Sequence, residues 1–444
     1  MRTRIAFVIG TGLLAACSLL GGPADSLGGT LHPAFVYHFN GDHRDDLADA
    51  DADGAGDAYL LATTLSEAAL VRIDASGKER WRAKLAFDAS ALAPAAGGVY
   101  VVGDKRDSSA GGQRAYAAFV EENGRVRWTI ETSSAEAASA APRDSVWDLS
   151  APGDAELWEA AALPSGDAVA LGVGPGATVR FLRIDTAGRI VWEQAAPAAY
   201  NWMYTGGSVG KIRPYLAAAA GSILAAGAWN AEGASAGLAV FRLEAETGAL
   251  QAQFTAAPSG ASFAGADWNE AAGLLAVAWN SKTSGSGLIV LDSALQPVAQ
   301  EAVDFHANSG VAWAGGNSVW IAGWKKGGSA FVNRVAAVRI DAAGNGSPQE
   351  SVWEDARVVD QVKLAAFGGE CVLAAAENLS ARDDQVDNSR IVLRKCALNS
   401  EPLFTFQRGE VYQGDPQLQA FAGGLLLAVH HGSDGPILIL FRDG

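Results

Sequence analysis

Apolar and polar positions in this chain alternate in short runs that arrive in pairs. Asp57 to Thr63 is followed by Ala69 to Asp74, and Gly98 to Gly103 by Ala115 to Glu121. The same pairing recurs at Asp167 to Val173 with Val179 to Asp185, and at Ser222 to Trp229 with Leu238 to Glu244. It continues at Gly273 to Trp279 with Leu288 to Asp292, and at Ser318 to Trp324 with Ala336 to Asp341. The last pairs are Glu370 to Ala376 with Arg390 to Cys396, and Gly424 to His430 with Pro436 to Arg442. Runs this short, bounded by Gly, Asn and Asp turns, predict strands rather than helices.

Around each pair the chain repeats itself. A small-residue strand such as Leu216 to Ala220 precedes the pair. A turn of Asp/Asn-Gly type follows it, then a strand often ending in an aromatic residue. The clearest copies are Asp74-Ala75-Ser76-Gly77-Lys78-Glu79-Arg80-Trp81 and Asp185 to Trp192. Eight units of roughly 40 to 50 residues, each with four strands, predict an all-β fold, an eight-bladed β-propeller of four-stranded antiparallel blades. Small inner strands let eight blades crowd around a central channel. Trp81, Trp128, Trp192, Phe254 and Trp353 end fourth strands and are expected to pack between neighbouring blades.

The eighth unit is incomplete. Leu438 to Gly444 reaches the turn, and no fourth strand follows. Ala34-Phe35-Val36-Tyr37-His38-Phe39-Asn40 lies ahead of the first full unit and has no unit of its own. It alternates and carries aromatic residues, as fourth strands do. The N-terminal strand is therefore expected to complete the last blade and close the ring, which also removes open sheet edges.

The first residues follow another pattern. Arg2 and Arg4 precede an apolar run from Ile5 to Leu14, then Ala15-Ala16-Cys17. This is the layout of an export signal over residues 1–16, with an apolar run too short to span a bilayer. Leu14-Ala15-Ala16-Cys17 resembles the bacterial lipobox. That resemblance implies acylation of Cys17, palmitate included, and a stable membrane anchor through several chains. Ser18 in the next position implies sorting to the outer membrane, with a periplasmic or surface-exposed propeller. Residues 17–30 then read as the lipidated cysteine and a flexible tether rich in Gly, and residues 31–444 as the propeller. No other segment is long and apolar enough to cross a membrane.

Two cysteines remain. Cys371 and Cys396 lie in consecutive β runs, and pairing of those runs as a hairpin would bring them face to face. In an exported protein this predicts a disulfide.

Composition narrows the function. The formal charge is -16 without a basic cluster, which excludes nucleic acid as a natural partner. His residues are few, and no His-x-x-x-His or Cys-x-x-Cys spacing supports zinc. No phosphate loop of the Gly-x-x-x-x-Gly-Lys-Ser/Thr type is present.

With the repeat phrases in hand, the chain resembles the PQQ-repeat-like propellers. Among them it is most similar to the eight-bladed lipoproteins of the outer-membrane β-barrel assembly machinery. The resemblance rests on Cys17, the eight units, and the Asp-x-x-Gly-x-x-x-Trp phrases at Asp74 to Trp81 and Asp185 to Trp192. Departures are the Gly-less turns at Asp292 to Val298 and Cys396 to Phe404, and long insertions expected as loops at Asp104 to Arg114 and Ser133 to Gly153. The resemblance implies a non-enzymatic, membrane-anchored scaffold for another envelope protein, monomeric outside any complex and requiring no cofactor. The PQQ-dependent dehydrogenases share the architecture, but they resemble one another in an adjacent cysteine pair that this chain lacks.

Two binding features are candidates. Asp49, Asp51, Asp53 and Asp57, with Gly54, follow the start of a calcium loop and resemble the calcium turns of integrin-type propellers. The twelfth position, which needs a bidentate Glu, is Leu60. The turn is either a calcium site or a solvated acidic turn. Second, Trp229-Asn230, Trp279-Asn280 and Trp324-Lys325 end second strands, on the face shared with the inter-blade loop holding Trp202 and Tyr204. These residues either line a surface receptor for glycan or peptide, or pack between blades.

Overall fold

The computed structural model describes residues 25–39, 46–63, 67–107, 112–131, 156–173, 178–200, 213–219, 221–231, 237–256, 261–281, 285–314, 317–329, 332–342, 349–358, 362–380, 388–397, 401–409, 413–431 and 435–442. Every regular element among them is a strand. After β1 (Asp25–Gly29) and β2 (Phe35–His38), blade 1 is β3 (Asp46–Ala52), β4 (Ala58–Thr63), β5 (Ala68–Ile73) and β6 (Glu79–Leu85). Blade 2 is β7 (Asp88–Ala95), β8 (Gly98–Asp107), β9 (Gly112–Glu121) and β10 (Val126–Glu131). Blade 3 is β11 (Glu156–Ala162), β12 (Ala168–Val173), β13 (Thr178–Ile184) and β14 (Ile190–Tyr200). Blade 4 is β15 (Tyr215–Ala219), β16 (Ser222–Ala231), β17 (Gly237–Glu244) and β18 (Leu250–Ala256). Blade 5 is β19 (Ala261–Asn269), β20 (Leu274–Ser281), β21 (Gly285–Leu291) and β22 (Pro297–Val303). Blade 6 is β23 (His306–Trp313), β24 (Ser318–Ser329), β25 (Val332–Asp341) and β26 (Gln349–Val358). Blade 7 is β27 (Lys363–Phe367), β28 (Glu370–Asn378), β29 (Ser389–Lys395) and β30 (Phe404–Arg408). Blade 8 is β31 (Gln413–Phe421), β32 (Gly424–His431) and β33 (Ile437–Arg442), completed by β2.

That last pairing is the expected closure. Phe35 lies opposite Leu440, Val36 opposite Ile439, Tyr37 opposite Leu438 and His38 opposite Ile437. Blade 8 thus takes its outer strand from the start of the fold and its other three from the end.

One contact repeats around the ring and explains the aromatic fourth strands. Trp81 packs on Gly124 in the third turn of the next blade, where an added Cβ would come within 2.8 Å of the ring, and its Nε1 donates to Glu122 O at 2.6 Å. Trp128 meets Gly188 and Thr186 O in the same way, and Trp192 meets Gly248 and Ala245 O. Gly124 serves twice: its φ of 84° suits only glycine, and its missing side chain admits the indole. At the closure Phe35 takes the tryptophan's place against Gly77 of blade 1. The N-terminal strand is therefore docked by the repeat's own joint.

The Gly-less turns have separate solutions. In blade 5 Leu295 holds the glycine position at φ 58°, with Leu295 N donating to Asp292 O at 2.9 Å as Gly77 N does to Asp74 O. Its buried side chain joins the cluster that Phe254 packs against. In blade 7 the Cys371–Cys396 disulfide stands at the turn, with Cα atoms 5.3 Å apart. Trp353 packs with it, and Ser351 Oγ donates to Cys396 O at 2.9 Å. The bridge closes a loop of sequence separation 25. A Cys371→Ala/Cys396→Ala protein should lose about 3 kcal/mol, read as a lower midpoint in urea with a slope equal to or steeper than the parent's, since the freed unfolded chain exposes more surface.

Two expectations need correction. Within residues 17–30, expected as a flexible tether, Asp25–Gly29 forms β1, paired with β30 as a fifth, outermost strand of blade 7. Asp104 to Arg114 is not wholly a loop: β8 and β9 continue pairing through Lys105 with Arg114 to Asp107 with Gly112. The second insertion, Ser133 to Gly153, lies outside the described residues, as does Cys17.

Candidate functional site

The predicted aromatic face separates into different jobs. Trp279 is only 4% exposed. It packs among Leu238, Val240, Phe263 and Ile289, and its ring fits because Gly287 opposite has no side chain. Its Nε1 finds no hydrogen-bond partner among the described residues. Asn280 is buried beside it, donating to Ala307 O of blade 6 while Ser286 Oγ donates to Asn280 Oδ1 at 2.5 Å. Trp279 thus joins blade 5 to blade 4, and Asn280 joins it to blade 6. Trp279→Ala should cost about 3–5 kcal/mol in denaturant unfolding, the effect of emptying a core aromatic site. A ligand-binding tryptophan would show little loss of stability.

Trp324 differs. It is half-buried, and its ring lies 4.6 Å from that of exposed His306. The neighbouring Lys325 pairs with Glu350 at 2.6 Å and Asp304 at 3.6 Å. The backbone of Trp229 and Asn230 pairs with Tyr200 and Ala199, so blade 3 reaches over to blade 4 on this face. The side chains of Trp229 and Asn230, and all of Trp202 and Tyr204, lie outside the described residues.

The acidic turn is also divided. Asp53 caps the β3–β4 hairpin: its Oδ1 accepts from Ala55 N and Asp57 N, and its Oδ2 from Tyr59 OH. Asp57 pairs with Arg72, 2.8 Å away. Asp49 and Asp51 lie further back on β3 and line the channel instead. Among the described residues no three His, Cys, Asp or Glu side chains are grouped to hold a metal.

The channel collects the remaining polar chemistry. A cavity of about 380 Å³ is lined by Asp49, Asp51, Leu92, Glu159, Leu216 and Gln419, from five inner strands. Register shifts in these strands fall between Leu47 and Asp49, Leu157 and Glu159, and Gly414 and Gln417. A bulge at the same point of blades 1, 3 and 8 re-aims the next side chain inward. Several of these polar groups tie blades together. Asp49 Oδ2 accepts from Leu92 N at 2.9 Å, and Asp267 Oδ2 from Trp313 N at 2.9 Å. Gln417 Nε2 donates to Ala48 O at 3.1 Å, which also accepts from Arg213 of blade 4.

Burial raises these carboxyls. Asp51 is pushed up to about 7 by desolvation, with Asp49 beside it adding repulsion. Glu159 stands well above the ordinary range through burial and then Asp49, with Arg213 opposing. Burial also raises Asp267 to about 6. Glu159, Asp267 and Arg213 are missed by motif reasoning. For Glu159 and Asp267 the sequence signal is a charged residue among small ones in the first strand of a unit, whereas Arg213 lies just ahead of β15.

No protein-family model and no curated protein matches this chain. Solved structures match by fold. BamB from Moraxella catarrhalis is 11% identical, with a TM-score of 0.56 over 93% of this chain and 99% of that one. The quinohemoprotein alcohol dehydrogenase from Comamonas testosteroni is 10% identical, with a TM-score of 0.53 over 93% of this chain and 76% of that one. The WD40 domain of SCAP from fission yeast is 9% identical, with a TM-score of 0.53 over 95% and 98%. At these identities the likeness establishes the propeller and leaves function to the residues.

Proposed function

We propose that this chain is a lipid-anchored envelope protein, held at the outer membrane through Cys17, whose propeller is a non-enzymatic scaffold for another envelope protein. The observation that carries this reading is the use made of the inner polar residues. Asp49, Asp267, Gln417 and Asn280 join neighbouring blades. Such a ring is a stiff platform whose outer surfaces are left for partners. The lipobox-like start and the fold shared with BamB support an envelope setting. A second reading, a receptor for glycan or peptide, is favoured by the Trp324–His306 pair at one rim.

Affinity capture from solubilised envelope, after crosslinking in cells, tests the proposal. Recovery of one envelope protein in near-stoichiometric amount, barrel-assembly components included, supports the scaffold. Recovery of a soluble glycan or peptide, lost in Trp324→Ala, supports the receptor. Dye reduction dependent on added quinone cofactor would contradict both.

A further inference from the structure

We propose that the outer edge of blade 7 is the membrane-facing edge of the ring, lying on the lipid surface with the edge of blade 3 turned away. This rests on the lipid anchor at Cys17 proposed above. The inference comes from where β1 docks. Asp25 pairs opposite Arg408, and the register continues through Leu27 opposite Phe406 to Gly29 opposite Phe404. Beyond it, Leu31 N donates to Leu403 O at 2.7 Å. β1 is thus the outermost strand of blade 7, and the chain leaves the ring there toward Cys17.

The docking is built into the sequence. Gly29 sits at φ +102°, and a Cβ there would lie 2.4 Å from Leu403 O. A Cβ on Gly28 would lie 2.7 Å from Thr405 Oγ1. Gly29 in particular lets the backbone lie this close to β30.

Chain length then sets the orientation. Seven residues, Ser18 to Ala24, separate Cys17 from Asp25. Fully extended, the connection reaches at most about 28 Å. A folded chain of this size has a radius of gyration of about 22 Å, so the ring is about 55 Å across. The connection is roughly half that width and cannot pass from blade 7 around to the opposite edge at blade 3. Leu27, 43% exposed on β1, is an apolar side chain at this edge. The same geometry leaves the edges of blades 2, 3 and 4 for a partner reaching in from the aqueous side.

Single cysteines at Leu27, at Val298 on β22 and at Val191 on β14 place a fluorescent label on the outer strands of blades 7, 5 and 3. All three side chains are more than 40% exposed, so labelling leaves the core intact. The acylated full chain is bound to phosphatidylethanolamine–phosphatidylglycerol vesicles carrying a headgroup nitroxide quencher. Quenching should be strongest at L27C, intermediate at V298C and weakest at V191C, with at least about a threefold difference between the extremes, given the reach of the connection. A label at exposed Thr30 should follow L27C, and guards against local disturbance of β1. Equal quenching at all sites, or strongest quenching at V191C, overturns the orientation while leaving the anchor standing. A protein whose mass shows no acyl group on Cys17, and which does not float with vesicles, overturns both.

Discussion

Removing the closing strand should cost this protein its cooperative fold. Replacing Phe35 to Phe39 by glycine and serine, or deleting Leu31 to Asn40, takes away four ladder pairs with β33. It also removes buried Phe39, over which the Arg82 guanidinium lies at 4.4 Å, and the bond from Arg82 to Phe39 O at 2.9 Å. Tyr37 no longer donates to Glu79, and the turn at Gly77 loses its docked ring. Burial of Phe39 alone contributes about 1.5–3 kcal/mol, against a total stability of about 5–15 kcal/mol for a typical domain. The larger effect is at the new edge. Ile437, Leu438, Ile439, Leu440 and Phe441 are each 0% exposed in the closed ring. With β2 gone β33 keeps β32 on one side and becomes an open apolar edge without charge or proline on the other, the sequence type most prone to edge-to-edge association. Gel filtration with light scattering should show oligomers, and limited proteolysis should cut the chain within the dose that leaves the parent intact. A monomer with the parent's melting temperature would mean that β2 contributes nothing to closure.

The second large effect is on pH dependence, and Glu159 governs it. A carboxyl whose folded pKa lies above its unfolded value holds its proton more tightly in the fold. Its stabilising contribution is present at low pH and is lost as pH rises from the unfolded value through the folded one. Glu159, Asp51 at about 7 and Asp267 at about 6 all shift in this direction, through burial at the channel. Melting temperature should therefore fall between pH 5 and pH 9. The depressed carboxyls, Asp74 at about 2 and Asp185, work in the opposite sense, but their contribution fades only as pH falls through the acid range. They leave the neutral window to the channel. Glu159→Gln removes the titration and should stabilise the protein by on the order of 2 kcal/mol at pH 9, with little change at pH 5. In a protein of this size that is a rise of a few degrees. A Gln variant with the same melting difference at both pH values would show that Glu159 ionises without penalty.

Much of the architecture could be read from the chain because the repeat is local. Each unit carries its own alternation and turn, so blade count, the closing role of Phe35 to His38, and the facing of Cys371 and Cys396 follow from short segments. What escaped depends on distant neighbours. Asp25-Ser26-Leu27-Gly28-Gly29 has the composition of a tether, yet an outermost strand needs only backbone groups and a close fit, which two glycines supply. Trp279-Asn280 has the look of a binding pair, and only Gly287 across the hairpin and Ala307 in the next blade reveal it as packing. Asp49 to Asp57 spans a strand and a turn, so a linear acidic run divides between the channel, a cap and Arg72. Glu159 and Arg213 have no motif in common; the ring brings them from blades 3 and 4 beside Asp49 of blade 1.

Closure by the N-terminal strand joins the fold, the anchor and the orientation of the ring, and hydrogen exchange reads it directly. Exchange of the folded full-length protein, followed by mass spectrometry, reports peptides covering residues 35–38 and 437–441. Closure predicts that 437–441 are protected as strongly as the central strand β32, and that the amides of 35–38 bonded to β33 lose protection together with them in denaturant. Amides of 437–441 exchanging as fast as those of an exposed edge, while β32 stays protected, would contradict it.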